Sequence, residues 1–145
     1  MRTIIVVLLI VGLAGCLKPG PTVVSLNATA AAGMNPGPDG SDRPLTVAVY
    51  HLTTPVSFQS APFAALQSDA AGTLGADLLQ EDTLVLPPGG TAALDIAVAD
   101  GATAVGLLAG FRDPAGKARQ QVLPVASGRT SDVTLTVGPS GLVLN

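Results

Sequence analysis

From Thr22 onward the chain is made of short runs of alternating apolar and polar residues, separated by proline and glycine. Alternation with a period of two sends successive side chains to opposite faces of a strand. "TVVSLNATA" (Thr22–Ala30) alternates through Val24, Leu26 and Ala28, which predicts a first strand. "LTVAVYHL" (Leu45–Leu52) predicts a second, with Leu45, Val47 and Val49 on one face and Tyr50 and Leu52 on the other. "DTLVLPPGG" reads as a strand ending in a turn, and "TAALDIAVADG" as its alternating partner through Leu94, Ile96 and Val98. Thr83–Val98 is therefore expected to be a hairpin-like unit around Pro87–Gly90. Ala102–Gly116 predicts a long apolar strand closing on a turn at Asp113–Gly116, with "ARQQVLPVA" as its partner. "SDVTLTVGPSGLVLN" predicts two last strands broken at Gly138–Gly141. The period changes once, in "SAPFAALQSDAAG". There Ser60 can cap, Phe63 and Leu66 are three apart, and Gly72 can close the segment, which predicts one short helix over Pro62–Ala70. About eight strands, one helix and turn-rich punctuation describe an all-β sandwich or barrel.

One connection is unlike the rest. "AAGMNPGPDGSDRP" (Ala31–Pro44) holds three prolines, three glycines and a single sizeable apolar side chain, Met34. Ordinary connections run to about 4–6 residues, and longer ones tend to carry function or remain disordered.

The start of the chain has a different pattern. Arg2 precedes an unbroken apolar run, Ile4–Gly12, of the length of a secretory signal core and too short for a permanent bilayer span. "LAGC" (Leu13–Cys16) then matches the bacterial lipobox, in which the Cys thiol takes a diacylglycerol, the preceding peptide is cut and the new amino group is acylated. Cys16 is the only cysteine and has no internal disulfide partner, and acylation accounts for it. Diacylglycerol and N-acyl chain together exceed what stable anchoring requires, at ~0.8 kcal/mol per buried methylene. The expected organisation is a cleaved signal peptide at 1–15, the lipidated Cys and a short tether at 16–21, and one sandwich domain at 22–145. Leu17 follows the Cys where an inner-membrane retention signal would carry Asp, which points to the outer membrane. "KPGP" (Lys18–Pro21) is a stiff tether that keeps the domain close to the bilayer, facing the periplasm.

Composition narrows the chemistry. The mature chain would carry six basic against ten acidic side chains, a balance of −4, which argues against nucleic acid and against an electrostatic grip on anionic lipid. With His51 the only histidine and no cysteine nucleophile left, neither a Cys–His pair nor a multi-ligand His/Cys metal site can be assembled, and no other cofactor is expected. No GxSxG surrounds any serine, so a hydrolase using Ser and His51 has no motif behind it, and His51 reads as structural or surface. Glu81 and Asp82 are neighbours whose side chains should diverge. Asn27-Ala28-Thr29 fits a glycosylation sequon that has no evident use in a bacterial lipoprotein. The chain does not read as an enzyme. The alternative reading is a lipoprotein that binds a carbohydrate or small ligand on a generic sandwich. Sugar sites favour exposed aromatics, and only four aromatic residues are present.

The order of segments resembles one family. "LTVAVYHL" is similar to its strand ending in Tyr-x-Leu, and "FQSAPFAAL" to its Phe-x-x-x-x-Phe-x-x-Leu helix start. "LGADLL", "LPPGG" and "VGLLAGFRD" follow in the family's order. Behind a lipobox, these pieces resemble the outer-membrane lipoprotein of the type VI secretion system, the TssJ (VasD/SciN) family. One departure is Ala118-Arg119, where members often carry Trp-Arg. The resemblance implies a transthyretin-like sandwich of two sheets with an added helix. It also implies a non-catalytic adaptor with no small-molecule substrate, which holds the periplasmic C-terminal region of the inner-membrane protein TssM and, through it, TssL. In the family, the loop between the first two strands is linked to TssM binding. That loop is Ala31–Pro44 here, with Gly33, Met34, Asn35, Pro36, Gly37, Pro38 and Asp39 as expected contacts and Met34 as the apolar one. Prolines 36, 38 and 44 would limit the ordering cost on binding.

Overall fold

The computed structural model describes residues 19–145. Eight strands form two four-stranded sheets, and a helical insert covers the outside of one of them. The strands are β1 (Val23–Ala30), β2 (Leu45–Leu52), β3 (Leu78–Leu86), β4 (Thr91–Ala97), β5 (Ala104–Ala109), β6 (Gln120–Pro124), β7 (Thr130–Gly138) and β8 (Gly141–Leu144). One sheet has the order β4-β1-β7-β8 and the other β3-β2-β5-β6. All neighbours are antiparallel except β1 and β7, which run parallel from Val23↔Thr130 to Ala30↔Val137.

The alternation seen in the sequence becomes the inner face of the sandwich. Val24, Leu26 and Ala28 from β1 meet Leu45, Val47 and Val49 from β2 in the main core. Leu84 and Leu86, Val105 and Leu107, and Val133, Leu135 and Val137 also belong to it. The second set on β2, Tyr50 and Leu52, is also buried, beneath the helical insert with Phe58, Leu66, Leu74 and Leu108. β2 and β5 are therefore covered on both faces, which explains why they read as nearly continuous apolar runs.

The helical segment is longer and more broken than the single helix expected over Pro62–Ala70. It comprises α1 (Val56–Ser60), α2 (Phe63–Ser68), α3 (Ala70–Leu74) and a 3₁₀ turn at Gly75–Asp77. Pro62 forces Ala61 into an extended conformation (ψ 139°), which separates α1 from α2. Asp69 ends α2 and accepts a 2.8 Å hydrogen bond from the Gly72 N–H, so it caps α3 instead of continuing one helix. Ser60 is not the cap of α2; its hydroxyl donates back to the carbonyls of Val56 and Ser57. Pieces this short are held by packing and not by propensity. Phe58 is fully buried against Gly106, where a Cβ would approach the Phe58 ring to 3.0 Å. Asp77 clasps the insert shut by accepting from the hydroxyls of Thr53 and Ser57.

The expected hairpin over Thr83–Val98 does not form. β3 pairs with β2, β4 pairs with β1, and Pro87–Gly90 carries the chain from one sheet to the other. Leu84 and Leu86 face Ile96 across the core instead of sharing a sheet face with it. Alternation specifies an inward face, and it is satisfied equally by a neighbour beside the strand or a strand opposite. The apolar run from Ala102 yields a strand only over Ala104–Ala109, while β6 pairs with it as expected, and β7 and β8 form the closing hairpin. At the β6–β8 side, Gly141 (φ +103°) lies so close to Ala118 that the Ala118 N–H donates to the Ser140 carbonyl and the Leu142 N–H donates to the Ala118 carbonyl.

Candidate partner-binding surface

Strand direction separates the two ends of the domain. The chain arrives at Pro19–Thr22, where the Gly128 N–H donates to the Thr22 hydroxyl (2.8 Å) and the Val98 N–H to the Thr22 carbonyl. β1 then runs the length of the sandwich, roughly 23 Å at about 3.3 Å per residue, and delivers the chain to the Ala31–Pro44 loop. At that far end the last residue of β1 meets the β3–β4 crossing, through the Ala30 N–H to the Gly90 carbonyl, and the loop follows directly. The loop itself meets the β5–β6 segment, through the Arg112 N–H to the Asn35 side chain.

The loop is built around two buried residues and one carboxylate. Met34 is 1% exposed and belongs to the main core, and Asn35 is 4% exposed. The Asn35 amide donates to the Pro44 carbonyl (3.0 Å) and its Oδ1 accepts from the Arg112 N–H (2.9 Å). Asp42 turns back into the loop, accepting from the Gly33 N–H (2.6 Å) and the Asn35 N–H (3.0 Å). Gly33, at φ +75°, supplies the left-handed bend that aims its N–H at Asp42. Above this base, Pro36 and Asp42 form a lone β-bridge, and Gly37–Ser41 makes the tip, with the Gly37 N–H donating to the Ser41 carbonyl (2.7 Å). Asp39 accepts from the Ser41 N–H and pairs with Arg43 at 2.9 Å. The Ser41 backbone N–H, aided by the Ser41 side chain and Arg43 and opposed by partial desolvation, holds the Asp39 carboxyl below its ordinary 3.8.

Two of the expected contact residues therefore have other roles. The Met34 side chain cannot seat in a partner's groove, because it fills the end of the core between the sheets. Asn35 cross-links the loop to its neighbours from inside. What the loop offers outward is Gly33, Pro36, Pro38 and Asp39, with Gly37 half-buried. In sequence, a lone methionine in a polar loop looks like a free hook. Only the loop's fold back onto the sandwich makes it a plug. Cys16 and the start of the tether lie outside the described residues.

The single histidine is fully buried at the near end of β2. Its Nδ1 accepts the Ala99 N–H (2.9 Å), so the ring proton sits on Nε2 and is donated to Asp82 (2.9 Å). Both ring nitrogens are thereby committed to structure. Glu81 points to the opposite face, beside Tyr50, so the adjacent acids do diverge. Asn27 is exposed on the outer face of β1.

Among solved structures, the T6SS lipoprotein TssJ1 from Pseudomonas aeruginosa is similar to this chain with a TM-score of 0.79 and 31% identity, over 86% of this chain and 95% of that one. Serratia marcescens Lip, described as a membrane-bound component of the type VI secretion system, gives a TM-score of 0.78 and 26% identity, over 86% and 97%. A chain of a structure described as a type VI membrane complex gives 0.74 and 26%, over 86% and 98%. Comparison with curated proteins yields no match. The profile of the type VI secretion lipoproteins (VasD, EvfM, TssJ) matches residues 22–140, the whole sandwich apart from its last strand, and the chain belongs to that family.

Proposed function

We propose that this chain is a non-catalytic adaptor of the type VI secretion system. It is lipidated on Cys16 with diacylglycerol and an N-acyl chain and anchored in the outer membrane. It faces the periplasm and holds the C-terminal periplasmic region of TssM, and through it TssL. Family membership and the likeness to a chain of a type VI membrane complex support the assembly role. The observation that carries the reading is the separation of the two ends of β1. The tether arrives at one end and the hydrogen-bonded loop stands at the other, so the loop projects away from the bilayer that the lipid would occupy. A loop already closed by Asp42 and Asn35 loses little freedom on binding, which favours affinity.

The competing readings lack groups to work with. Tyr50, Phe58 and Phe111 are buried and Phe63 is half-buried beneath the Arg119 guanidinium, 4.6 Å from its ring, so no aromatic face is presented to stack on a sugar. His51 has no free lone pair to act as a base. The test is calorimetric titration of the full-length chain, purified in detergent, with the C-terminal periplasmic region of its cognate TssM. Replacing Pro36, Pro38 and Asp39 together by Ser should lower Tm by no more than about 6 °C, since all three are exposed and only the Asp39 contacts at the tip are lost, and weaken binding at least tenfold. Wild-type failure to bind would overturn the adaptor reading. Unchanged affinity of the triple variant would make the loop a spacer.

A further inference from the structure

The outer face of the β3-β2-β5-β6 sheet is only partly roofed by the helices. Beyond the edge of α2 a cleft remains, lined by Thr46, Ala48, Tyr50, Gln67, Glu81 and Leu108. Its floor is apolar and shallow because Ala48 and Leu108 lie side by side on paired strands, and Gly110 leaves the end open. Three polar groups converge on its rim: the Tyr50 hydroxyl, the Glu81 carboxylate and the Gln67 amide.

The first two of these are unspent. Tyr50 is 3% exposed, yet its hydroxyl has no hydrogen-bond partner among the described residues and no buried side-chain atom is left unsatisfied, so it looks out into the cleft. Glu81 stands directly opposite Tyr50 across the β2–β3 pair and has no salt-bridge partner among the described residues. Burial of the ring and, after it, the negative charge of Glu81 push the Tyr50 hydroxyl up to about 12, so it stays a neutral donor and acceptor. The cations with neighbours are engaged elsewhere: Arg43 with Asp39, Lys117 over Phe111 and Arg119 over Phe63. Among the described residues, no cation lines the cleft. Val85, 54% exposed on the same face of edge strand β3, adds an apolar shoulder beside Thr46.

We propose that this cleft is a docking pocket for a lysine or arginine side chain of a protein partner. The aliphatic stem lies over Ala48 and Leu108, and the cationic head meets Glu81 with the Tyr50 hydroxyl and Gln67 as further acceptors. Long basic side chains combine these properties, an apolar stem and a charged tip. The net charge has the complementary sign, since residues 19–145 carry five basic against ten acidic side chains. The proposal rests on the adaptor reading and adds a second contact, on the sheet face instead of the loop.

The test uses the full-length chain in detergent and the periplasmic region of the cognate TssM as probe, titrated at low and high salt. Glu81→Gln should weaken binding at least fivefold and flatten its salt dependence, and Glu81→Lys should weaken it at least thirtyfold. Both should unfold at the wild-type temperature, because Glu81 is exposed. Wild-type binding with Glu81→Gln within twofold would overturn the cleft alone. No wild-type binding would overturn the cleft together with the adaptor reading. Self-association that Glu81→Lys abolishes would assign the cleft to a second copy of this chain and overturn the proposal.

Discussion

Met34 offers the sharpest separation between a binding loop and a structural one. Its side chain is 1% exposed and packs in the main core with Ala30, Leu45 and Val137 among the buried members of that cluster. Met34→Ala removes the whole thioether beyond Cβ and leaves a void at the end of the sandwich. Buried Met→Ala changes cost about 2–5 kcal/mol through lost transfer energy plus the cavity. The loop base can relax partly, since it is a connection held by a few hydrogen bonds and not by a sheet ladder, so the lower half of that range, about 2–3 kcal/mol, is expected. For a domain of this size that is a fall of roughly 6–12 °C in Tm. Thermal and urea unfolding followed by circular dichroism would measure it. Met34→Leu, close in volume, should lose less than about 1.5 kcal/mol. Pro38→Ala at the exposed tip should shift stability by no more than about 0.5 kcal/mol. If Met34→Ala melted within 2 °C of wild type and still weakened TssM binding, the core placement would be refuted and the methionine would be a contact after all.

Three further outcomes follow from the packing. Gly106→Ala would place a Cβ 3.0 Å from the Phe58 ring and 3.1 Å from Leu52, so both side chains must give by a few tenths of an ångström, at about 1–3 kcal/mol and with a changed near-ultraviolet signal from Tyr50. Gly141→Ala meets the Ala118 backbone and a φ of +103° at once, with no flexible atom to yield. It should unfold the β6–β8 side and reduce soluble yield sharply, as read by limited proteolysis. For Tyr50, the folded value of about 12 lies above the ordinary 10, through burial first and Glu81 second, so the fold favours the neutral form. That stability is complete below pH 10 and drains away as pH rises toward 12. The rise corresponds to about 2.7 kcal/mol, which solvent at the cleft reduces to about 1 kcal/mol. Alkaline urea titrations should show this loss, and Tyr50→Phe should remove it.

How far the chain could be read ahead of its structure depends on whether the information was local. The spans of β1, β2, β7 and β8 were legible because one buried face imposes a strict period, and the pattern of β2 showed apolar residues on both faces, Leu45, Val47 and Val49 opposed to Tyr50 and Leu52, although that each face has its own core came only with the helical insert. Helix breaks were less legible. Pro62 and Asp69 end and restart the helix within a few residues, and the pattern of Phe63 and Leu66 runs smoothly across them. The candidate site was half legible. The length and proline content of Ala31–Pro44 marked the loop, but which of its side chains face outward is a property of its contacts with Arg112, Pro44 and the core.

By itself the sequence determined the apolar face of each major strand and the sites of most turns, because side-chain period and the special backbone of glycine and proline act over a few residues. Tertiary structure alone decided that β3 and β4 join different sheets, that Met34 closes the core, and that His51 spends both nitrogens on Ala99 and Asp82. Those outcomes depend on which groups meet across many residues of separation, and a hydrogen bond or a buried contact does not exist until its distant partner arrives.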